Sequence, residues 1–368
     1  MIHRRHLVLL AALAAAAGPA VAQEFPPKRP ITLLVGFAPG GAADAAARLI
    51  AKQLAENIGQ SIVVENKAGA GGNIAHQQVA AGPADGSLIL LGSIGPLTIA
   101  PHMMKLPYDP FKDLAPITGG VYFPSVLVVN AEHGPKTLAE FIAMAKKSPE
   151  AVSYASTGPG SASHLTGELF AKQIGAQMLH VPYKGGSAAM PDLLANRFTG
   201  YFAAPPTALP HIETGKVRAL ATTGLTRPPH LPNVPTVAEQ GLPGFEALNW
   251  YAFVGPAKMP APLLDRYNQE IVKVLRMPEV RDYLVKHGLA PHPTTRTELA
   301  EFMRKESAQW GAIVRDRKIV GGECASSPVV PAKAGISGFR PPSRAAPCAA
   351  PSRRGPRRRR PAAHRCRP

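Results

Sequence analysis

Apolar positions along the chain fall into short runs that alternate with helical stripes. Residues 31–37 (ITLLVGF) form an apolar run followed by a Pro-Gly-Gly turn. Over residues 44–58, Leu49, Ile50, Leu54 and Ile58 share one helical face while Arg48, Lys52 and Glu56 share the other. This order predicts strand, turn and amphipathic helix. Gly59 is placed to end that helix; residues 61–66 then read as a strand, 73–81 as a helix, 84–86 as a turn and 87–93 as a third strand. After a proline-broken segment the alternation resumes, with strands over 121–130, 151–155, 177–183, 198–203 and 217–223. Helices fall between them over 137–147, 161–174 and 187–196, and three more close the pattern at 262–275, 278–286 and 297–317. Such alternation predicts an α/β fold of two lobes, each a mainly parallel sheet flanked by helices and joined by crossing strands.

Charge sharpens the picture of the ends. Of the formal +17, residues 1–22 carry +2, residues 23–319 carry +5 and residues 320–368 carry +10. The basicity that would otherwise point to a nucleic-acid binder therefore sits mostly outside the patterned region. Residues 1–22 read as a secretory signal peptide: a basic start, an apolar run over 7–17 too short to span a bilayer, and Ala20-Val21-Ala22 as a cleavage site. The mature chain is expected to begin at Gln23 in the periplasm. From Val320 onward Pro and Arg accumulate and apolar periodicity stops, so the tail is expected to be disordered. A basic tail could bind nucleic acid or anionic lipid by counterion release, but SPVVPAKAGISG over 327–338 looks like translated repetitive DNA, which favours a frameshift or read-through extension.

Chemistry is sparse in between. All three cysteines (Cys324, Cys348, Cys366) lie in the tail, which leaves no thiol nucleophile, disulfide or thiolate metal site in residues 23–319. G-x-S-x-G, H-E-x-x-H and a phosphate-binding P-loop are all missing, and no histidine pair has metal-ligand spacing. No enzyme, cofactor or metal is expected. What the sequence does carry is glycine-rich strand-to-helix turns at 38–43 (APGGAA), 67–72 (KAGAGG) and 156–164 (STGPGSASH). Free amides at helix N-termini stabilise a carboxylate, although glycine in a single loop is more simply a tight turn or cap. Three such loops in a bilobed layout point to a small-anion cleft. Asp44, in the first turn of its helix, reads first as a cap, and Phe37 is the aromatic best placed to face a ligand.

These residues bear a resemblance. Phe37-x-Pro39-Gly40-Gly41-x-x-Asp44-x-x-Ala47-Arg48 resembles the opening motif of the Bug receptors, the substrate-binding proteins of tripartite tricarboxylate transporters. Val64-Glu65-Asn66-x-x-Gly69-Ala70-Gly71-Gly72, Asp85-Gly86 and Tyr108-Asp109-Pro110 match in order. So do Ser156-x-Gly158-x-Gly160-x-x-x-His164-Leu165, residues 180–185 (HVPYKG), residues 234–239 (VPTVAE) and Trp250. The resemblance covers residues 26–319 and has no counterpart to the tail.

It implies a type II-like periplasmic binding protein, a monomer with residues 23–122 plus 224–319 as one lobe and 123–223 as the other. Such a receptor closes on a small carboxylate and delivers it to a membrane permease, or else presents it to a sensor kinase. Nucleic acid is not an expected partner. The implied ligand-binding residues are Phe37, Gly40, Gly41, Ala42, Asp44 and Ser93 on one side and Ser156, Thr157, Gly160, Ser161 and His164 on the other. Three positions depart from the family's pattern: Ala43 where threonine is frequent, Gly36 where proline is common, and Asn196 in place of a frequent glycine, which asparagine tolerates at positive φ.

Overall fold

The computed structural model describes residues 25–316 and 318–319; the expected signal peptide and the tail beyond Ile319 lie outside the described residues. The first half opens with β1 (Ile31–Val35), α1 (Ala42–Ile58), β2 (Ile62–Asn66), α2 (Asn73–Ala80) and β3 (Leu88–Ser93). β1 is apolar at four of its five positions and buried along nearly its whole length, as an interior strand of a covered sheet requires. It pairs in parallel with both neighbours, Leu33 opposite Val64 of β2 and Ile89 of β3. α1 buries Ala46, Ala47, Ile50 and Leu54 along one face and ends at Gly59, whose left-handed φ of 66° suits the helix terminus.

A π-helical turn at Gly95–Ile99 and the short α3 (Ala100–Met103) lead into β4 (Leu114–Pro124) and β5 (Val126–Asn130). The sequence pattern reads residues 121–130 as one strand; the chain instead parts at Ser125, whose amide donates to Thr223 Oγ1 at 2.8 Å. That break lets the chain leave one sheet and enter the other. The second half contains α4 (Leu138–Ala145), β6 (Ser153–Ser156), α5 (Ala162–Ile174), β7 (Leu179–Pro182), α6 (Gly186–Leu194), β8 (Gly200–Ala203), α7 (Pro205–Glu213) and β9 (Val217–Thr222). β10 (Leu248–Pro256) returns to the first sheet, followed by α8 (Ala261–Arg276), α9 (Pro278–Lys286), β11 (Ala290–Pro291) and α10 (Arg296–Asp316).

The six-stranded first sheet has the order β11-β4-β10-β3-β1-β2 and the five-stranded second sheet the order β7-β6-β8-β5-β9. Strands β1 to β3 and β6 to β8 supply the parallel pairs, while β5, arriving from the first half, and β10, returning from the second to lie between β3 and β4, join antiparallel. α8 covers the first sheet with Leu263, Tyr267, Ile271 and Val274, and each such buried apolar side chain contributes about 1.5–3 kcal/mol. Phe141, Phe170, Phe202 and Tyr154 fill the second. The indoles of Trp250 and Trp310 both donate to Glu306 Oε2 at 3.1 Å, which ties α10 to the returning strand. Asn196 does take a positive φ, 53°. Among the described residues no helix is long and apolar enough to cross a membrane.

Candidate functional site

Between the two sheets lies a narrow cleft, lined from the first half by Phe37, Gly41, Ala42, Ala43, Ser93, Asn249 and Tyr251. The second half contributes Thr157, Ala162, Ser163, Gly186, Tyr201, Phe202, Ala204 and Thr207. No charged side chain is among them. Four helices begin here instead: α1 after Gly41, α5 after Ser161, α6 after Gly185 and α7 after Ala204. The caps of α1 and α6 make no side-chain hydrogen bond, so their first amides have no partner from a capping side chain, whereas α7 opens with Pro205 and Pro206, which carry no N–H, and adds only its dipole end. Four converging positive dipole ends make a field that favours an anion without a buried cation.

Of the residues the sequence nominates, Phe37, Gly41, Ala42, Ser93 and Thr157 line the cleft. The other six stand one layer behind and hold the loops. Asp44 is buried and accepts from Gly40 N at 3.0 Å, Arg48 Nε at 2.9 Å and Asn66 Nδ2 at 2.9 Å. Burial works to raise its carboxyl, but bonds from Arg48, Gly40 and Asn66 prevail and hold it below the usual carboxylate range. The expected capping role becomes a variation on it: Asp44 satisfies an amide that precedes the helix rather than those inside it.

The second loop is a closed polar frame. Ser156 Oγ accepts from Gly158 N at 3.0 Å and pairs with His180 Nε2 at 2.5 Å, His164 Nδ1 accepts from Gly160 N at 3.2 Å, and Ser161 caps α5 at His164 N. The His164 and His180 rings stack with centroids 4.0 Å apart. Burial lowers His164 to about 4; burial, with the nearby His164 adding to it, lowers His180 to about 3. Both imidazoles are therefore neutral at pH 7, as acceptance at Nδ1 and the stack require. His76, also lowered to about 4 by burial, places the end of β3: its Nδ1 bonds Gly72 O at 2.9 Å and its Nε2 accepts from Ser93 N at 3.3 Å.

The third glycine loop, 67–72, does not line the cleft but forms a seam between the halves. Gly71, at φ 65°, lies so close to the opposite loop that a Cβ there would fall 2.2 Å from Pro159 O. Elsewhere on the rim Ala38 N donates to Lys184 O at 2.9 Å and Ser187 Oγ to Pro39 O at 2.7 Å. Sequence reasoning missed Gly186, Tyr201, Phe202, Ala204, Thr207, Asn249 and Tyr251 as lining residues. α7 was hidden by its three prolines, and β10 was not read as a strand. The signal available for α6 was Lys184-Gly185-Gly186, one more glycine turn between a strand and a helix.

Two mixed sheets joined by crossing strands, with a cleft between them lined by helix N-termini, define a two-lobed binding protein of the periplasmic type. The chain matches the model of the tripartite tricarboxylate transporter family receptor over residues 46–319, and it belongs to that family. The protein BugT of Bordetella pertussis is 36% identical over 307 residues, covering 83% of this chain and 94% of its own. Among solved structures, R. palustris Rpa4515 with adipate superimposes with a TM-score of 0.77 at 31% identity, covering 81% of this chain and 99% of that one. MatC (Rpa3494) from Rhodopseudomonas palustris with bound malate gives 0.75 at 31%, covering 79% and 100%.

Proposed function

We propose that the chain is an extracytoplasmic solute receptor that binds a small carboxylate in the cleft and delivers it to a tripartite tricarboxylate-type permease. Residues 23–122 with 224–319 form one lobe and 123–223 the other, and the ligand bridges them by hinge closure. Export through the N-terminal segment places it in the periplasm, and the bound acid leaves unchanged. The observation that carries this reading is the convergence of four helix N-termini, from both lobes, on a cleft without a charged side chain. One carboxylate sits at the amides of Gly41 to Ala43, with Thr157 and Ser163 opposite. The relatives with adipate and malate support a carboxylate as the anion.

Isothermal titration of the purified protein with a panel of mono-, di- and tricarboxylates, together with small-angle scattering, tests it. Binding of at least one acid, accompanied by a smaller radius of gyration, is expected. A panel that produces neither heat nor compaction while sulfate or phosphate does would overturn the carboxylate assignment.

A further inference from the structure

Four polar side chains in the cleft have no partner, and they come from both lobes. Ser93 Oγ and Asn249 Oδ1 are buried without a hydrogen bond. Tyr201 and Tyr251 line the cleft at 1% and 6% exposure, and neither hydroxyl makes a hydrogen bond among the described residues. The Tyr201 oxygen lies at the start of α6 beside Thr207: a Cβ on Gly186 would come within 2.8 Å of it and 3.0 Å of Thr207 Oγ1. Tyr201 stands on β8 of the second sheet and Tyr251 on β10 of the first. Neither phenol oxygen is sealed off as Ser93 Oγ and Asn249 Oδ1 are: both open onto the cleft, where only water or a ligand can pair them, and phenylalanine would fill either site without that polar group. Burial raises both phenols, and proximity to Tyr201 raises Tyr251 further, so both remain neutral donors at physiological pH.

Resting on the reading of this cleft as a carboxylate site, we infer that Tyr201 and Tyr251 form a cross-lobe clamp for a second acceptor oxygen on the ligand. The ligand class is then a carboxylic acid bearing a further hydroxyl, oxo or carboxylate oxygen, rather than a plain alkyl acid. Each phenol donates one bond to that oxygen, Ser93 Oγ can donate a further one, Asn249 Oδ1 is an acceptor that pairs only where that oxygen is a hydroxyl, and the two phenols meet only when the lobes are together. A ligand without the oxygen would still fill the cleft but leave both donors orphaned, which is how a site built on polar groups rejects an apolar analogue.

Matched four- and six-carbon sets test this by calorimetry: butanoate, 4-hydroxybutanoate, succinate and malate; hexanoate, 6-hydroxyhexanoate, 6-oxohexanoate and adipate. The wild-type protein should bind the best oxygenated member at least about tenfold more tightly than its plain parent acid. Tyr201→Phe and Tyr251→Phe should each remove most of that advantage and leave the parent acid within about twofold, with melting temperature unchanged or raised. Which member wins identifies the oxygen as hydroxyl, oxo or carboxylate. Equal wild-type affinity across a set overturns the clamp while the carboxylate reading stands, as does an equal loss for parent and oxygenated acids in the Phe variants. A wild-type protein that binds no member overturns both.

Discussion

The two strand-to-helix loops that face each other across the cleft share a glycine-rich signature but are built in opposite ways. At residues 38–43 the helix cap is bare, Asp44 is engaged behind it, and the first amides of α1 open towards the cleft. At residues 156–164 serine and histidine side chains already occupy the loop's own donors, and α5 begins with a filled Ser161 cap. One loop therefore offers amides to an anion, whereas the other is a stiff wall presenting Thr157 and Ser163. Glycine content alone does not distinguish them; what differs is whether a side chain within reach satisfies the helix start.

The largest way to break the difference is acid. Held low by burial, His164, His180 and His76 take up protons in the unfolded chain near pH 6.5 but in the folded protein only near 4, 3 and 4. The unfolded state thus binds more protons between those limits, so stability is full above about pH 6.5 and falls as pH drops, by about 1.4 kcal/mol per pH unit for each histidine. Urea midpoints measured from pH 7.5 to 4.5 should fall steeply, and His180→Asn should flatten the slope; a level profile would mean that neutral imidazoles do not hold the second loop. Next in size is the seam between the lobes. Gly71→Ala places a Cβ 2.2 Å from Pro159 O and should weaken carboxylate binding about a hundredfold, beyond the loss of about 1 kcal/mol in stability that its positive φ costs in any case. Gly59→Ala is the control: nothing lies within 4 Å of its Cβ, so it should cost about 1 kcal/mol of stability through its positive φ and leave affinity alone.

Much of the fold was legible because the periodicities are strong where one face is buried. α1, α8 and α10 and the apolar strands β1 and β3 were read to within a few residues. Two of the missed elements have a composition that argues against them. β4 carries Pro116, Gly119 and Gly120, and α7 carries Pro205, Pro206 and Pro210, yet tertiary pairing and packing hold both. Thr207 was hidden for that reason on α7, whereas Tyr251 lies on β10, whose Trp250, Tyr251, Phe253 and Val254 favour a strand that the periodicity reading passed over. Phe37, Gly41, Ala42 and Thr157 were legible because they sit on short turns where spacing alone fixes direction. The layer behind, such as His180 against Ser156, joins residues 24 apart, a separation that no local pattern encodes.

Behind the open loop, Asp44 gathers three donors into one buried carboxylate. Asp44→Ala should cost about 2 kcal/mol, more than a simple cap, because Gly40 N, Arg48 and Asn66 all lose their acceptor. The depressed carboxyl contributes stability that is present above the unfolded value near 3.8 and is lost as pH falls through the lower folded value, so Asp44→Ala should match wild type only in strong acid. Chemical denaturation at pH 7 and pH 2.5 checks both points. A loss confined to affinity, with stability intact, would place Asp44 in contact with the ligand instead.

The smallest expected change separates the two loops most directly. Gly41 has the extended backbone of an N-cap, φ −87° and ψ 177°, and a Cβ there would meet only Ala38 O at 3.7 Å and Ser187 Oγ at 4.0 Å, so Gly41→Asp fits without strain. Its carboxylate would cap the amides that α1 leaves open and favour the helix dipole, raising stability by about 0.3–1 kcal/mol. The same group would occupy the proposed anion site and repel a bound carboxylate, lowering affinity by about tenfold or more. Stability and binding must therefore move in opposite directions, which thermal melts and calorimetry on one sample resolve. At Ser161 of the second loop the cap is already in place, so Ser161→Asp should leave helix stability nearly unchanged. If Gly41→Asp instead bound carboxylates as well as wild type, the open amides of α1 would not be the anion's seat, and the difference between the loops would be one of stiffness alone.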